Sequence, residues 1–303
     1  MGAATDRARQ DARDWHSLAG SATQIIAGTR LVIVGITYRG RYSRMDEVYE
    51  TLSHQLGSTS MIVGTVRRRL GRQDAQLALR LISNDRSDDR RQLEGRLADQ
   101  GLDALLDDPR LLGALLRTPS GAQASLPLFC YVVVRQALRA AGEDDRALAD
   151  LAAAIVLQFG VRDRAHRIAE GDDEVYTTLA DLLADVDRGD ARRNFLVRLH
   201  LGHYALWLSG LFPDRVEERR WRRGGPDLDY YEEMGRRGYQ LAANHQLAEE
   251  FGLVTLLGLA AERFGVLRVA LTQVSDALLF PNRHTPERLM RQVRDETRWR
   301  LAG

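Results

Sequence analysis

Along most of this chain apolar residues recur at intervals of three and four, the pattern of helices with one buried stripe. One stretch departs from that rhythm. From Asn194 to Pro213, Phe195, Leu196, Val197, Leu199, Leu201, Tyr204, Leu206, Trp207, Leu208, Leu211 and Phe212 leave almost no polar face, which predicts a core helix packed on several sides. Arg198, Gly202, Ala205 and Ser209 share one stripe of it, and the small members would let another backbone come close. His200, His203 and Trp207 fall on roughly the opposite side. The uninterrupted apolar run from Tyr204 to Phe212 is far below the roughly 20 residues of a membrane span, and Pro213 with Asp214 should stop the helix.

Around this helix the pattern predicts others. Asp74 to Ile82 and Asp89 to Gln100 read as helices divided at Ser83-Asn84-Asp85. Asp108 before Pro109 is a helix start, since the carboxylate caps free N–H groups and proline fits the first turn. Ser125 and Pro127 repeat that signal for Leu126 to Ala141. Further helical faces run through Leu148 to Phe159, Val175 to Val186, Leu247 to Phe264 and Val269 to Leu279. Asp229 reads as an acidic cap, and Thr285-Pro286-Glu287 starts a charged terminal helix.

Only the N-terminal region suggests strands. Leu31 to Tyr38 is short, β-branched and bounded by Gly28 and Gly40, and Met61 to Val66 is a second such run. Met45, Val48, Tyr49, Leu52 and Leu56 recur at helical spacing between them, with Ser43 and Asp46 resembling a capping box. Strand, helix, strand is the order of a βαβ unit; a long glycine-interrupted helix is the alternative. A weak helix over residues 5–19 precedes it. The expected fold is therefore mainly α, a multi-helix bundle with a small βαβ unit near the N-terminus. Thr118-Pro119-Ser120-Gly121 is the expected boundary between an N-terminal lobe, 1–118, and a C-terminal helical bundle, 122–303.

Composition changes this picture in two places. The 303 residues carry 43 basic and 42 acidic side chains, a formal net charge of +1, and every basic one is arginine, with no lysine. Such usage is what a GC-rich genome produces, so an arginine cluster here is weak testimony for nucleic acid. The single Cys130, inside the apolar run Leu128 to Val134, excludes an intramolecular disulfide framework and reads as a buried thiol. Charged residues from Asp6 to Asp14 leave no signal-peptide core at the start, which makes the cytoplasm the expected location.

The wording HLGHYALWLSGLFPD, followed by GGPDLDYYEEMGRRGYQLAA, resembles an uncharacterised bacterial family of conserved hypothetical proteins. The similarity runs from about Leu126 to Pro281, includes no catalytic motif, and implies no functional residue.

Three groups of residues could carry chemistry. Arg39, Arg41 and Arg44 follow the first strand reading and Arg67, Arg68 and Arg69 the second; parallel strands would gather them at one sheet edge beside a helix N-terminus, an anion site suited to phosphate. Arg219, Arg220, Trp221, Arg222 and Arg223 could grip a phosphate backbone and stack on a base, although Glu217, Glu218, Asp227 and Asp229 stand close enough to neutralise them. His200 and His203, three apart on a helix, could share a metal if Tyr204 or a carboxylate completed the set. His245 and Glu249 read as a surface pair. No nucleophile elbow, phosphate-loop lysine or dinucleotide glycine motif is present, and no cofactor is expected. The favoured function is a noncatalytic scaffold that binds a protein partner or a second copy of itself. An anion or nucleic-acid binder and a metalloprotein around His200 and His203 are the alternatives.

Overall fold

In the computed structural model of this chain the described residues are 66–84, 86–160, 164–169 and 172–302. Within them all regular structure is helical, in agreement with the apolar periodicity. Both strand readings, their intervening helix and the residue 5–19 helix lie outside the described residues, apart from Val66, whose φ of −59° and ψ of −39° are helical. Two compact units result. The first reaches Ala165 and takes in Ala169, while the second comprises His166–Ile168 and continues from Asp172.

The first unit opens with a 3-10 turn, Arg67–Arg69, followed by α1 (Arg72–Ser83), α2 (Ser87–Gln100), α3 (Asp103–Leu106), α4 (Pro109–Arg117), α5 (Leu126–Ala140) and α6 (Arg146–Phe159). Two of its caps, Asp108 and Ser125, are the ones the sequence suggests, and Asp145 is a third that it does not mark. Asp108 accepts the Arg110 N–H at 3.0 Å and Ser125 that of Leu128 at 3.2 Å, while Asp145 caps α6 through Leu148 at 2.8 Å. Helices α5 and α6 pack along each other through Leu128, Leu138, Leu148 and Ala152, all inaccessible to solvent. Burying each such leucine contributes on the order of 1.5–3 kcal/mol.

The Thr118–Gly121 break, expected to separate an N-terminal from a C-terminal lobe, lies inside this unit. It forms a 3-10 turn, Pro119–Gln123, held against α4: a Cβ on Gly121 would fall 2.0 Å from the Leu115 carbonyl oxygen. Across it, the Ser125 hydroxyl donates to Asp74 of α1 at 2.6 Å. A turn-forming sequence marks a change of direction, and only packing decides whether a domain ends there.

The second unit holds α7 (Leu179–Asp185), α8 (Ala191–Leu211), α9 (Pro213–Arg223), α10 (Leu228–Ala243), α11 (Gln246–Glu250), α12 (Val254–Glu262), α13 (Phe264–Val274), a π-helical turn (Ser275–Leu279) and α14 (Pro286–Ala302). As expected, α8 is the core helix; α7, α10 and α13 cover it, and Leu199, Leu201, Leu206 and Leu211 are wholly buried. The small-residue stripe does what its composition suggests. A Cβ on Gly238 of α10 would stand 2.5 Å from the Gly202 nitrogen and 3.0 Å from the Arg198 oxygen, so these two helices touch backbone to backbone.

Three boundaries differ from the sequence reading. Val175 and Tyr176 precede α7, whose cap is Thr178; the cap of α10 is Asp227, which accepts the Tyr230 N–H at 3.0 Å, rather than Asp229; and the helix read through Leu247 to Phe264 is broken at Gly252, where φ is +65°. Apolar spacing persists through short breaks that a left-handed glycine or a nearer carboxylate imposes. No helix among the described residues is long and apolar enough to cross a membrane.

Candidate functional site

Helix α14 is built the wrong way round for a surface helix. Its Arg288, Arg291 and Asp295, spaced at three and four, are buried, while Leu289, Met290 and Val293 are 59%, 55% and 64% exposed. Charge complementarity explains the inward face. Arg291, 1% exposed, donates to Asp214 of α9 at 2.9 and 3.1 Å and to both oxygens of Asp276 in the π-helical turn at 2.8 and 3.1 Å. Arg288 donates to the Phe280 and Asp276 carbonyl oxygens at 2.6 and 2.9 Å, and Arg294 to Glu217 at 2.6 Å. From α13, the buried Arg268 bridges Glu232 of α10 at 2.5 Å and Asp295 of α14 at 3.1 Å. Charges held out of water survive only with such partners. The outward face is apolar at Leu289, Met290 and Val293, and apolar side chains gain nothing from water.

On α9 the arginine cluster is partly paired. Arg222 meets Glu218 at 3.1 Å, Arg220 lies 3.9 Å from both Glu217 and Asp227, and its guanidinium stands 5.8 Å from the Trp221 ring. Glu217, Glu218 and Asp227 thus moderate the cluster, as their proximity in sequence suggests. Trp221 remains 62% exposed beside the exposed Arg219, Arg222 and Arg223.

The histidines of α8 are core residues. His200, 3% exposed, stacks on Tyr204 with ring centroids 6.0 Å apart, and His203, 6% exposed, meets the edge of Tyr239 at 5.6 Å. His203 therefore faces α10, the same helix that Gly202 touches, and not the opposite side. Tyr204 does not complete a metal set: its hydroxyl donates to the Thr177 carbonyl oxygen at 3.1 Å, and among the described residues no group of three His, Cys, Asp or Glu side chains is placed to hold a metal ion. His245 caps α11 by accepting the Leu247 N–H at 3.2 Å on Nδ1, instead of pairing with Glu249.

Of the proposed anion site, Arg39, Arg41 and Arg44 lie outside the described residues. Arg67, Arg68 and Arg69 make the 3-10 turn, whose first N–H donates to Asp150 of α6 at 2.9 Å. Arg68 and Arg69 are exposed, whereas Arg67 turns inward and holds both Asp103 oxygens at 2.5 Å. Its neighbours there are residues that the sequence does not mark as a site. Tyr131 and Arg135, one turn apart on α5, are 0% and 1% exposed, and Arg135 donates to Asp107 at 2.8 Å and to Asp144 at 2.6 Å. Arg146 of α6 completes the group with two bonds to Asp107 at 2.6 and 2.9 Å. The one available signal is an arginine that ends the apolar run Leu128 to Val134 inside a helix.

No protein-family model, no curated protein and no solved structure matches the chain.

Proposed function

We propose that this chain is a noncatalytic helical interaction protein whose docking element is the outward face of α14, and that the occupant is a second copy of the chain. The observation that supports this is the inversion of α14. Three exposed apolar side chains, two of them one helical turn apart, form a strip on a helix whose Arg288, Arg291 and Asp295 are buried. Leu289, Met290 and Val293 carry no charge, so the strip calls for an apolar counterpart and not for an oppositely charged one. Placed across a two-fold axis, the same three residues supply that counterpart, and two-fold self-association is the commonest closed assembly.

Sedimentation velocity of the full chain over a wide concentration range tests this. The expected result is a concentration-dependent dimer that Leu289→Glu with Val293→Glu converts to monomer, with the helical circular dichroism signal retained. A parent chain that stays monomeric throughout, or a double variant that dimerises as the parent does, would remove α14 as the interface.

A polyanion-binding reading rests on a different observation, the exposure of Trp221 among Arg219, Arg222 and Arg223. It expects single-stranded oligonucleotide to bind more weakly as salt rises and on replacement of Trp221 by Ala. Binding that ignores both changes removes it.

A further inference from the structure

The inward-facing group of the first unit has more hydrogen-bond donors than acceptors. Arg67 Nε, Tyr131 Oη and Arg135 Nη1 are buried and find no hydrogen-bond partner among the described residues. They belong to one neighbourhood: the Arg67 guanidinium stands 6.0 Å from the Tyr131 ring, Arg135 follows Tyr131 by one turn of α5, and the Tyr131 phenol feels the charges of Arg67, Arg135, Asp107 and Asp103. Burial pushes that phenol up to about 12, so at neutral pH it keeps its proton and can donate.

The acceptors nearby are already taken. Both Asp103 oxygens accept from Arg67, one Asp107 oxygen accepts from Arg135 and the other from Arg146, and Asp144 accepts from Arg135. Arg139 donates to the Asp107 carbonyl oxygen at 2.7 Å and lies 3.2 Å from Asp144. The remaining carboxylate, Asp150, accepts from the Arg67 backbone N–H, and burial raises its pKa and so favours its neutral form. Arg67, Arg135, Arg139 and Arg146 thus face Asp103 and Asp107, whose oxygens all accept from them, and Asp144, which is engaged through one oxygen and is itself 76% exposed. What Arg67 Nε, Tyr131 Oη and Arg135 Nη1 lack is an acceptor within reach.

We infer that Arg67, Tyr131 and Arg135 form a binding site for a small tetrahedral oxyanion of the phosphate or sulfate type. An ion with at least three unprotonated oxygens can take a bond from each of three donors that come from two elements, where a carboxylate offers two oxygens. Two of the donors belong to guanidinium groups, which gives the site its preference for a full negative charge. The members of the group nearest solvent are Arg146, Arg67 and Asp103, whose side chains are 48%, 34% and 25% exposed. The site is separate from α14 and stands whether or not that helix mediates association.

Inorganic phosphate and sulfate are the probes, titrated into the full chain at constant ionic strength, with chloride and acetate as comparisons. Calorimetry and thermal melting should both show saturable binding of phosphate and sulfate beyond that of the comparisons. Removing only the phenolic O–H with Tyr131→Phe should weaken phosphate binding about fivefold, the worth of one hydrogen bond of about 1 kcal/mol. Arg67→Met should weaken it at least as much. Arg135 is a poor first target because it also ties α5 to both Asp107 and Asp144, which is why the other two variants carry the test. Arg237→Gln, at an exposed position of the second unit, should leave binding unchanged. The assignment is overturned if phosphate stabilises no more than chloride, if Tyr131→Phe and Arg67→Met bind phosphate as the parent does, or if acetate binds as tightly as phosphate.

Discussion

Arg291 and Asp214 lie 77 residues apart in sequence and share two hydrogen bonds, from Nε at 3.1 Å and Nη2 at 2.9 Å to one carboxylate oxygen, in a place where the arginine is 1% exposed. The pair ties α14 to the start of α9, and Asp276 closes the group from the π-helical turn. Replacing Arg291 by Met should cost about 3 kcal/mol, because the buried Asp214 loses its nearest cation and keeps only Arg288 and Arg283 at 3.9 Å, while Asp276 keeps Arg288 at 3.0 Å. Urea denaturation measures it. A loss below about 1 kcal/mol would mean that water reaches these carboxylates.

The core of the second unit makes a separate prediction. Leu206→Ala should cost about 2–5 kcal/mol, as for a fully buried leucine. Gly238→Ala should cost about 1–3 kcal/mol although alanine favours helix, since the new Cβ meets the backbone of α8 at 2.5 Å and backbone cannot rotate aside. A Gly238→Ala chain as stable as the parent would place α8 and α10 farther apart than described.

His245 gives the pH dependence a sign. Its Nδ1 accepts the Leu247 N–H, and burial first, then the Arg198 charge, lower its pKa from 6.5 against the opposing pull of Glu250. The neutral ring is the form the fold prefers. Its contribution is therefore fully present above pH 6.5 and is lost as pH falls through that value toward the lowered one. His245→Asn, which keeps a capping acceptor that does not titrate, should flatten this region of the stability profile. An NMR titration of the His245 ring with a midpoint at or above 6.5 would contradict the assignment.

Cys130 reports on opening of the first unit. The thiol is 5% exposed, and burial pushes its pKa up to about 12, so thiolate is scarce at neutral pH and a reagent cannot reach it. Labelling should be very slow in buffer and fast in denaturant. Labelling in buffer at the rate of a free peptide thiol would show that α5 is not packed as described.

Much of the helical framework is legible in the sequence, and the reasons are local. An all-round apolar stretch has to be surrounded, which identifies α8; a carboxylate or hydroxyl before proline caps a helix wherever that helix ends up, which identifies the starts at Asp108, Ser125 and Thr285. Gly202 signals a close approach, while its partner Gly238 needs the fold. The polar interior is not legible. Periodicity places Arg288, Arg291 and Asp295 on one face and Leu289 and Val293 on another, and ordinary expectation then turns the charged face outward. What reverses it is Asp214, Asp276 and Arg268, residues on other elements. Arg135 is hidden the same way, since Asp107, 28 residues earlier, gives no local sign of its partner. The residue 31–66 strand reading concerns residues outside those described, apart from Val66.

A helix held by directional ion pairs differs from one held by grease in how it can move. Apolar faces slide with small loss, but shifting α14 by one turn, about 5.4 Å, would pull Arg291 away from Asp214 and Asp276 together. One register is therefore fixed, and Leu289, Met290 and Val293 are displayed at set positions on a helix already formed. An encounter with that surface would forfeit little backbone freedom, so the entropy of ordering that weakens association through unstructured segments is largely absent here.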